Sequence, residues 1–189
     1  MNRRDLLKRS AVMTGGALTL GMVSGFWSCR NAANSGVNWQ PEFFTELEGK
    51  NLAEVADRII PRTDTPGCMD VGAHEVIDQI VATCTEAEEQ GRLRAGLEAL
   101  NAKAQATHSS DFYQLAKADM DALLTEEAQA AADADTPHWW TGMKYLAMMT
   151  YFTSEAGATE HLQYEAVPGP YQGCLPLAEV GNGRAWGLE

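Results

Sequence analysis

The side chains that could do chemistry in this sequence are few, and their spacing brings none of them together on one local element. Glu155 and Glu160 flank the turn FTSEAG and form a candidate acid pair, but helix capping explains them more simply. The four histidines lack the close spacing of a helical metal site; they are His74, His108, His138 and His161. We therefore interpret the histidines as ordinary surface or capping residues.

Motifs that hold a cofactor are also absent from the sequence. It contains no GxGxxG, no phosphate-binding loop, no CxxC and no HExxH, which are the usual marks of dinucleotide, nucleotide, redox and zinc sites. The sequence therefore predicts no catalytic, cofactor-binding or metal-binding residue in this chain.

The charge of the chain limits its partners. The net charge is −12 over 189 residues, and the first 28 residues carry four basic side chains and one acidic side chain, so the remainder carries −15. Such a surface repels phosphate backbones and anionic lipid headgroups, which excludes nucleic acid as a partner. With 45% hydrophobic residues, this length supports one domain with a real core.

The N-terminus has the pattern of an export signal. A basic head precedes a weakly hydrophobic, glycine-rich run over residues 11–27, which is typical of a targeting segment rather than part of the fold. The residues that fit the twin-arginine pattern are Arg3, Arg4, Leu6, Leu7 and Lys8. We expect residues 1–28 to be a signal read by the twin-arginine translocase, with an ordinary basic n-region as the alternative, and the protein to be periplasmic.

Cys29 closes the hydrophobic run and raises a second question about processing. Lipid attachment to this cysteine is one outcome, while Val23, Ser24 and Gly25 offer a competing site for signal cleavage. Membrane contact is expected only through the signal or through such a lipid anchor. The polar residues 29–40 are interpreted as a tether.

An oxidising compartment also permits disulfides. Cys68 and Cys174 each follow a glycine in a predicted loop, whereas Cys84 lies on the apolar stripe of a predicted helix. We prefer a bridge between Cys68 and Cys174, with Cys84 as a buried free thiol, although the other two pairings stay open.

The rest of the chain shows helical periodicity and no sustained alternation of apolar and polar residues. Helices are predicted over residues 41–47, 51–60, 72–84 and 86–107, then from Phe112 into an alanine-rich stretch that fades into a solvated helix end or a loop. Leu93, Leu97, Leu100 and Ala104 mark the buried face of the long polar helix. The predicted fold is all-α, one compact helical domain over residues 41–189 with an irregular tail rich in proline and glycine.

Residues 136–173 are the most aromatic stretch. They contain two of the five tryptophans and three of the eight methionines, and the pattern predicts a central buried helix with Thr136 as N-cap and Pro137 at its first position. Gly157 is predicted to end this helix. The prolines that follow cannot continue it.

The motifs YFTSEAG and LQYEAVPGPYQG, together with IIPRTDTPG at residues 59–67, resemble the gluconate 2-dehydrogenase subunit 3 family. The resemblance implies a non-catalytic small subunit of a periplasmic, flavin-dependent dehydrogenase of the glucose-methanol-choline type. FAD would be held by the large partner subunit, which lacks its own signal and would be escorted through the twin-arginine pathway. A cytochrome c subunit is a further partner that the resemblance implies. The alternatives are a free-standing exported lipoprotein or scaffold and an oxidoreductase in its own right.

The aromatic residues exceed what a core of this size needs, and aromatic residues are common anchors of interfaces. Trp139 and Tyr151 are assigned to the core. The predicted partner interface consists of Trp140, Phe152, Tyr164, Pro168, Gly169, Tyr171 and Trp186. Of these, Tyr164, Tyr171 and Trp186 are expected to be partly exposed.

Overall fold

A computed structural model describes residues 39–165 without a break, together with residues 167, 170, 173, 174, 176 and 183–185. The five α-helices in this part of the chain are α1 (Glu46–Ile59), α2 (Ala73–Cys84), α3 (Ala87–His108), α4 (Lys117–Asp133) and α5 (Trp139–Phe152). A 3₁₀ turn at Phe112–Gln114 precedes α4, and a π-helical turn at Gly157–His161 follows α5. No β-strand occurs in these residues, and the all-α prediction is confirmed.

The apolar helix α5 is the centre of the bundle, because it packs against each of the other four α-helices. The side chains that α5 buries are those that the periodicity predicts: Trp139, Met143, Leu146, Ala147, Thr150 and Tyr151. The predicted start of this helix is wrong. His138 is the N-cap, and its Nδ1 accepts a hydrogen bond from the backbone N–H of Trp140 at 3.2 Å.

The segment before α1 is not the predicted helix over residues 41–47. Its backbone N–H groups at Glu42, Phe43 and Phe44 donate instead to the buried carboxylate of Asp78 in α2, at 2.6, 3.1 and 3.0 Å. A carboxylate that accepts hydrogen bonds from three backbone N–H groups satisfies donors that would have no partner in the first turn of a helix. α1 begins only after this contact, at the N-cap Thr45.

A capping box fixes the start of α1. The Thr45 hydroxyl accepts from the backbone N–H of Glu48 at 3.3 Å, and the Glu48 carboxylate accepts from the backbone N–H of Thr45 at 2.7 Å. Arg94 of α3 adds a contact by donating to the Phe43 carbonyl at 2.5 Å while its guanidinium lies over the Phe43 ring. Three elements therefore hold the start of the bundle in place.

α3 follows its prediction closely. Leu93, Leu97, Leu100 and Ala104 are fully buried. On the solvent side, Arg92 pairs with Glu88, four residues before it, at 3.1 Å. α2 follows its prediction less well. Ile77 and Val81 are buried, whereas Val76 and Cys84 face solvent.

The alanine-rich stretch that was expected to fade is helical to Asp133, and it contains a buried carboxylate. Glu127 accepts from the indole Nε1 of Trp139 at 2.8 Å and from the ammonium group of Lys103. One side chain of α4 thereby joins α3 and α5. Burial by itself raises the pKa of Glu127, but the hydrogen bonds from Lys103 and Trp139 outweigh it, so this pKa lies below its ordinary value.

This network predicts a pH dependence of stability. Because the folded-state pKa of Glu127 lies below the ordinary value of 4.5, its contribution is complete above that pH and is lost as the pH falls through the folded-state pKa. Glu127→Gln should therefore be less stable than the wild type at neutral pH, and the gap between their urea midpoints should close on acidification. A gap that stays constant down to about pH 3 would show that ionisation of Glu127 does not matter.

Within the part of the chain that the structure describes, no helix combines the length and the apolar character needed to cross a membrane.

Candidate functional site

Two of the three sequence motifs on which the family resemblance depends, those at residues 59–67 and 151–157, lie next to each other in space. The loop at residues 61–67 and the turn at residues 154–161 meet at the C-terminal end of α5, where the Tyr151 hydroxyl donates to the carbonyl of Pro66 at 2.7 Å. This hydrogen bond links residues that are 85 positions apart in the sequence. Tyr151 is fully buried, so the contact fixes the loop against the core.

The loop closes tightly on itself, and this closure explains its glycine. A Cβ on Gly67 would lie 2.5 Å from the backbone nitrogen of Arg62, too close for any other residue without movement of the backbone. The Asp70 carboxylate accepts from the backbone N–H of Gly67 at 2.8 Å and pairs with the guanidinium of Arg62. These hydrogen bonds hold the pKa of Asp70 below its ordinary value, with Arg62 as the main cause.

The turn after α5 is built in a similar way. The Ser154 hydroxyl donates to the carbonyl of Tyr151 at 2.6 Å and accepts from the backbone N–H of Gly157 at 3.1 Å. A Cβ on Gly157 would overlap that same carbonyl group. Gly157 does not end α5 as predicted, because the helix ends at Phe152 and the glycine begins the π-helical turn.

Two shallow clefts of about 390 Å³ each lie where the loop and the turn meet. The first is lined by Val71, Ser154, Glu155, Ala156, Thr159 and Glu160, and the second extends along residues 62–66. Glu155 and Glu160 line the same cleft, and both are exposed. The lining offers hydroxyl and carboxylate oxygens, which suit hydrogen bonding to a partner surface.

Metal ligands do not converge here. Among the residues that the structure describes, no group of three or more histidine, cysteine, aspartate or glutamate side chains is placed to hold a metal ion. His138 caps α5, and His108 and His161 are exposed, which agrees with their interpretation as surface or capping residues. The interpretation of His74 is wrong, because this side chain is buried edge-on against the ring of Trp39. Burial lowers its pKa.

The predicted interface residues divide into three groups. Trp140 and Phe152 are half-buried and pack against the core, while Tyr164 is 53% exposed, as expected. The remaining predicted residues, Pro168, Gly169, Tyr171 and Trp186, lie outside the described residues. So do the signal residues and the candidate lipid site Cys29.

The sequence analysis missed the most exposed aromatic side chain of α5. Tyr145 is 65% exposed and Met148 is 41% exposed, although the helix reads as apolar almost all round. The 3.6-residue period of the helix distinguishes exposed from buried positions here, because Tyr145, Met148 and Phe152 fall on the side opposite to the buried Met143 and Thr150. The outer face of α5, meaning Tyr145, Met148 and Phe152, is therefore a second candidate surface for binding.

The cysteines are arranged differently from the prediction. Cys68, Cys84 and Cys174 are free thiols in the structure; Cys68 is fully buried with its Sγ 4.0 Å from the carbonyl of Ala147, whereas the other two are exposed. The preferred bridge between Cys68 and Cys174 is thus not formed here. The expectation that Cys84 is the buried thiol is wrong.

Burial predicts a difference in reactivity between these thiols. Loss of hydration, with a smaller effect from the charge of Asp57, raises the pKa of Cys68 to about 12, so almost no thiolate forms near neutral pH. Iodoacetamide should alkylate Cys84 and Cys174 in the native protein and leave Cys68 unmodified until denaturant is added. Peptide mass spectrometry measures this directly. Protection of Cys68 and Cys174 together, relieved only by a reducing agent, would instead reveal a bridge between them.

Comparison with known protein families supports the resemblance that these motifs suggest. Residues 46–169 match the family described as gluconate 2-dehydrogenase subunit 3. The match covers about two thirds of the chain and includes both the loop at residues 61–67 and the turn at residues 154–161. Searches of the curated proteins and of the solved structures find no match.

Proposed function

Because this chain belongs to the gluconate 2-dehydrogenase subunit 3 family, we propose that it is the non-catalytic small subunit of a periplasmic, flavin-dependent dehydrogenase of sugars or sugar acids. Its large partner subunit holds FAD and oxidises the substrate, and electrons pass on to a cytochrome c subunit. This chain binds the large subunit, stabilises it and escorts it through the twin-arginine translocase.

The observation that carries this proposal is the combination of a family match over residues 46–169 with the paired Arg3 and Arg4 at the N-terminus. The family name describes one subunit of a dehydrogenase, which supports a dehydrogenase partner. The arginine pair supports a route that transports folded proteins. A bound partner without a signal of its own can then cross the membrane with this chain.

The proposal assigns a task to each part of the chain. Residues 1–28 are the export signal, and residues 29–40 are a tether that keeps the folded domain away from the translocase or from a lipid on Cys29. The helical domain presents its binding surfaces on a rigid frame, because the loop at residues 61–67 is fixed to α5 through Tyr151. A rigid surface loses little conformational entropy when a partner binds.

Co-expression with a candidate large subunit, meaning a flavoprotein dehydrogenase whose gene adjoins the gene of this chain, tests the proposal. A tag on this chain should recover the flavoprotein as a complex that contains FAD, with the absorption of bound flavin in the eluate. A variant that lacks residues 1–28 is the control and should bind equally well, because the signal serves export rather than assembly. Elution of this chain alone, while the flavoprotein is folded and active in the same extract, would refute the proposal.

A further inference from the structure

The outer face of α5 is an apolar surface that is exposed in the part of the chain that the structure describes. Tyr145 and Met148 are 65% and 41% exposed, and the half-buried Phe152 continues the same side of the helix. Their spacing of three and four residues places them in one row along the helix. Side chains in such a row are the usual anchors when a helix binds in a groove.

The charges around this row are unusual for so acidic a protein. α5 contains no acidic residue, and its one charged side chain is that of the exposed Lys144. After Lys144 the sequence has no lysine or arginine until Arg184, while Glu155, Glu160 and Glu165 are exposed beyond the helix. The apolar row thus has one basic neighbour, Lys144, near its N-terminal end and exposed acidic residues beyond its C-terminal end.

These charges disfavour a second copy of this chain as the occupant. Residues 29–189 carry a net charge of −15, so two copies that meet through α5 would bring two strongly acidic surfaces together. A partner with basic groups beside an apolar groove avoids this cost.

We propose that the outer face of α5 is the surface that docks onto the large dehydrogenase subunit. Tyr145 and Met148 enter an apolar groove of that subunit, and basic side chains at one end of the groove face Glu155 and Glu160. This inference rests on the proposed function and adds to it the location and the chemistry of the contact. It also places the centre of the interface at Tyr145 and Met148, beside the residues that the sequence suggested.

Binding of purified chains by titration calorimetry tests the inference, with the same candidate large subunit as the probe. Tyr145→Glu and Met148→Glu should each weaken binding at least about 10-fold, because each places a charge in an apolar contact. Leu47→Glu is the matched control and should bind like the wild type. Leu47 is 39% exposed, close to the value for Met148, but it lies in the first turn of α1.

The outcomes separate this inference from the proposed function. Binding by the wild type and the control, with loss in both α5 variants and unchanged circular dichroism, supports docking through α5. Equal binding by all four proteins refutes the docking surface and leaves the proposed function intact. Failure of the wild type to bind refutes both. Light scattering adds one more arm, since a wild-type dimer that Tyr145→Glu converts to a monomer would show that a second copy occupies the face.

Discussion

Gly96→Ala is expected to destabilise the protein by about 1–3 kcal/mol, although alanine is normally the better helix former. Gly96 is buried in α3 where this helix crosses α5, and a Cβ there would overlap the indole of Trp139 and lie 2.7 Å from its Cβ. Trp139 cannot easily move away, because it is only 5% exposed and its indole Nε1–H donates a hydrogen bond to Glu127 at 2.8 Å. The two helices must separate, or the indole must leave its rotamer.

Gly91→Ala in the same helix is the matched control for this prediction. Gly91 is exposed, and a Cβ there would have no neighbour within 4 Å. Gly91→Ala should therefore raise the free energy of unfolding by about 0.5–1 kcal/mol through helix propensity alone. Urea unfolding followed by circular dichroism measures both variants. Equal stabilisation by the two substitutions would show that α3 and α5 are not packed as closely as described.

The apolar core could be predicted, because the spacing of hydrophobic residues along a helix indicates which of its faces is buried. The row of Leu93, Leu97 and Leu100 and the inner face of α5 around Met143 are buried as the spacing predicts. The 3.6-residue period depends only on neighbours along the chain, and for a helix inside a bundle those neighbours decide which face is buried. The all-α fold follows from the same signal.

Buried carboxylates account for two structural features that the sequence did not predict. Asp78 prevents a helix over residues 41–47, and Glu127 joins three helices from a stretch that looked solvated. A charged side chain is normally exposed, so only the position of its distant partners shows that it is buried. The partners of Asp78 lie 34 to 36 residues away in the sequence. No local pattern records such a pairing.

The candidate binding surfaces were predictable only in part. On α5 the sequence suggested Trp140 and Phe152 as interface residues and did not suggest Tyr145 and Met148, which are the large apolar side chains that this helix exposes. All four side chains are apolar and lie on one apolar helix, so composition could not rank them. The direction in which each points is decided by the four helices that pack against α5.

The second large effect concerns export. Replacing Arg3 and Arg4 together with lysine keeps the charge of the N-terminal segment but removes the paired guanidinium groups, whose planar, multiple donors an ammonium group does not reproduce. We expect the Arg3→Lys/Arg4→Lys protein to fold normally and to remain in the cytoplasm. Cell fractionation followed by immunoblotting measures the loss, and an Arg9→Lys variant is the control, because it makes the same substitution outside the pattern.

The location of the flavoprotein partner in that double-lysine strain is the most direct test of the escort function. The partner's gene and active site are unchanged, so its fate depends only on this chain. The account predicts that the flavoprotein accumulates in the cytoplasm beside this chain and that dehydrogenase activity disappears from the periplasmic fraction. Normal amounts of active flavoprotein in the periplasm of the same strain would contradict the escort function.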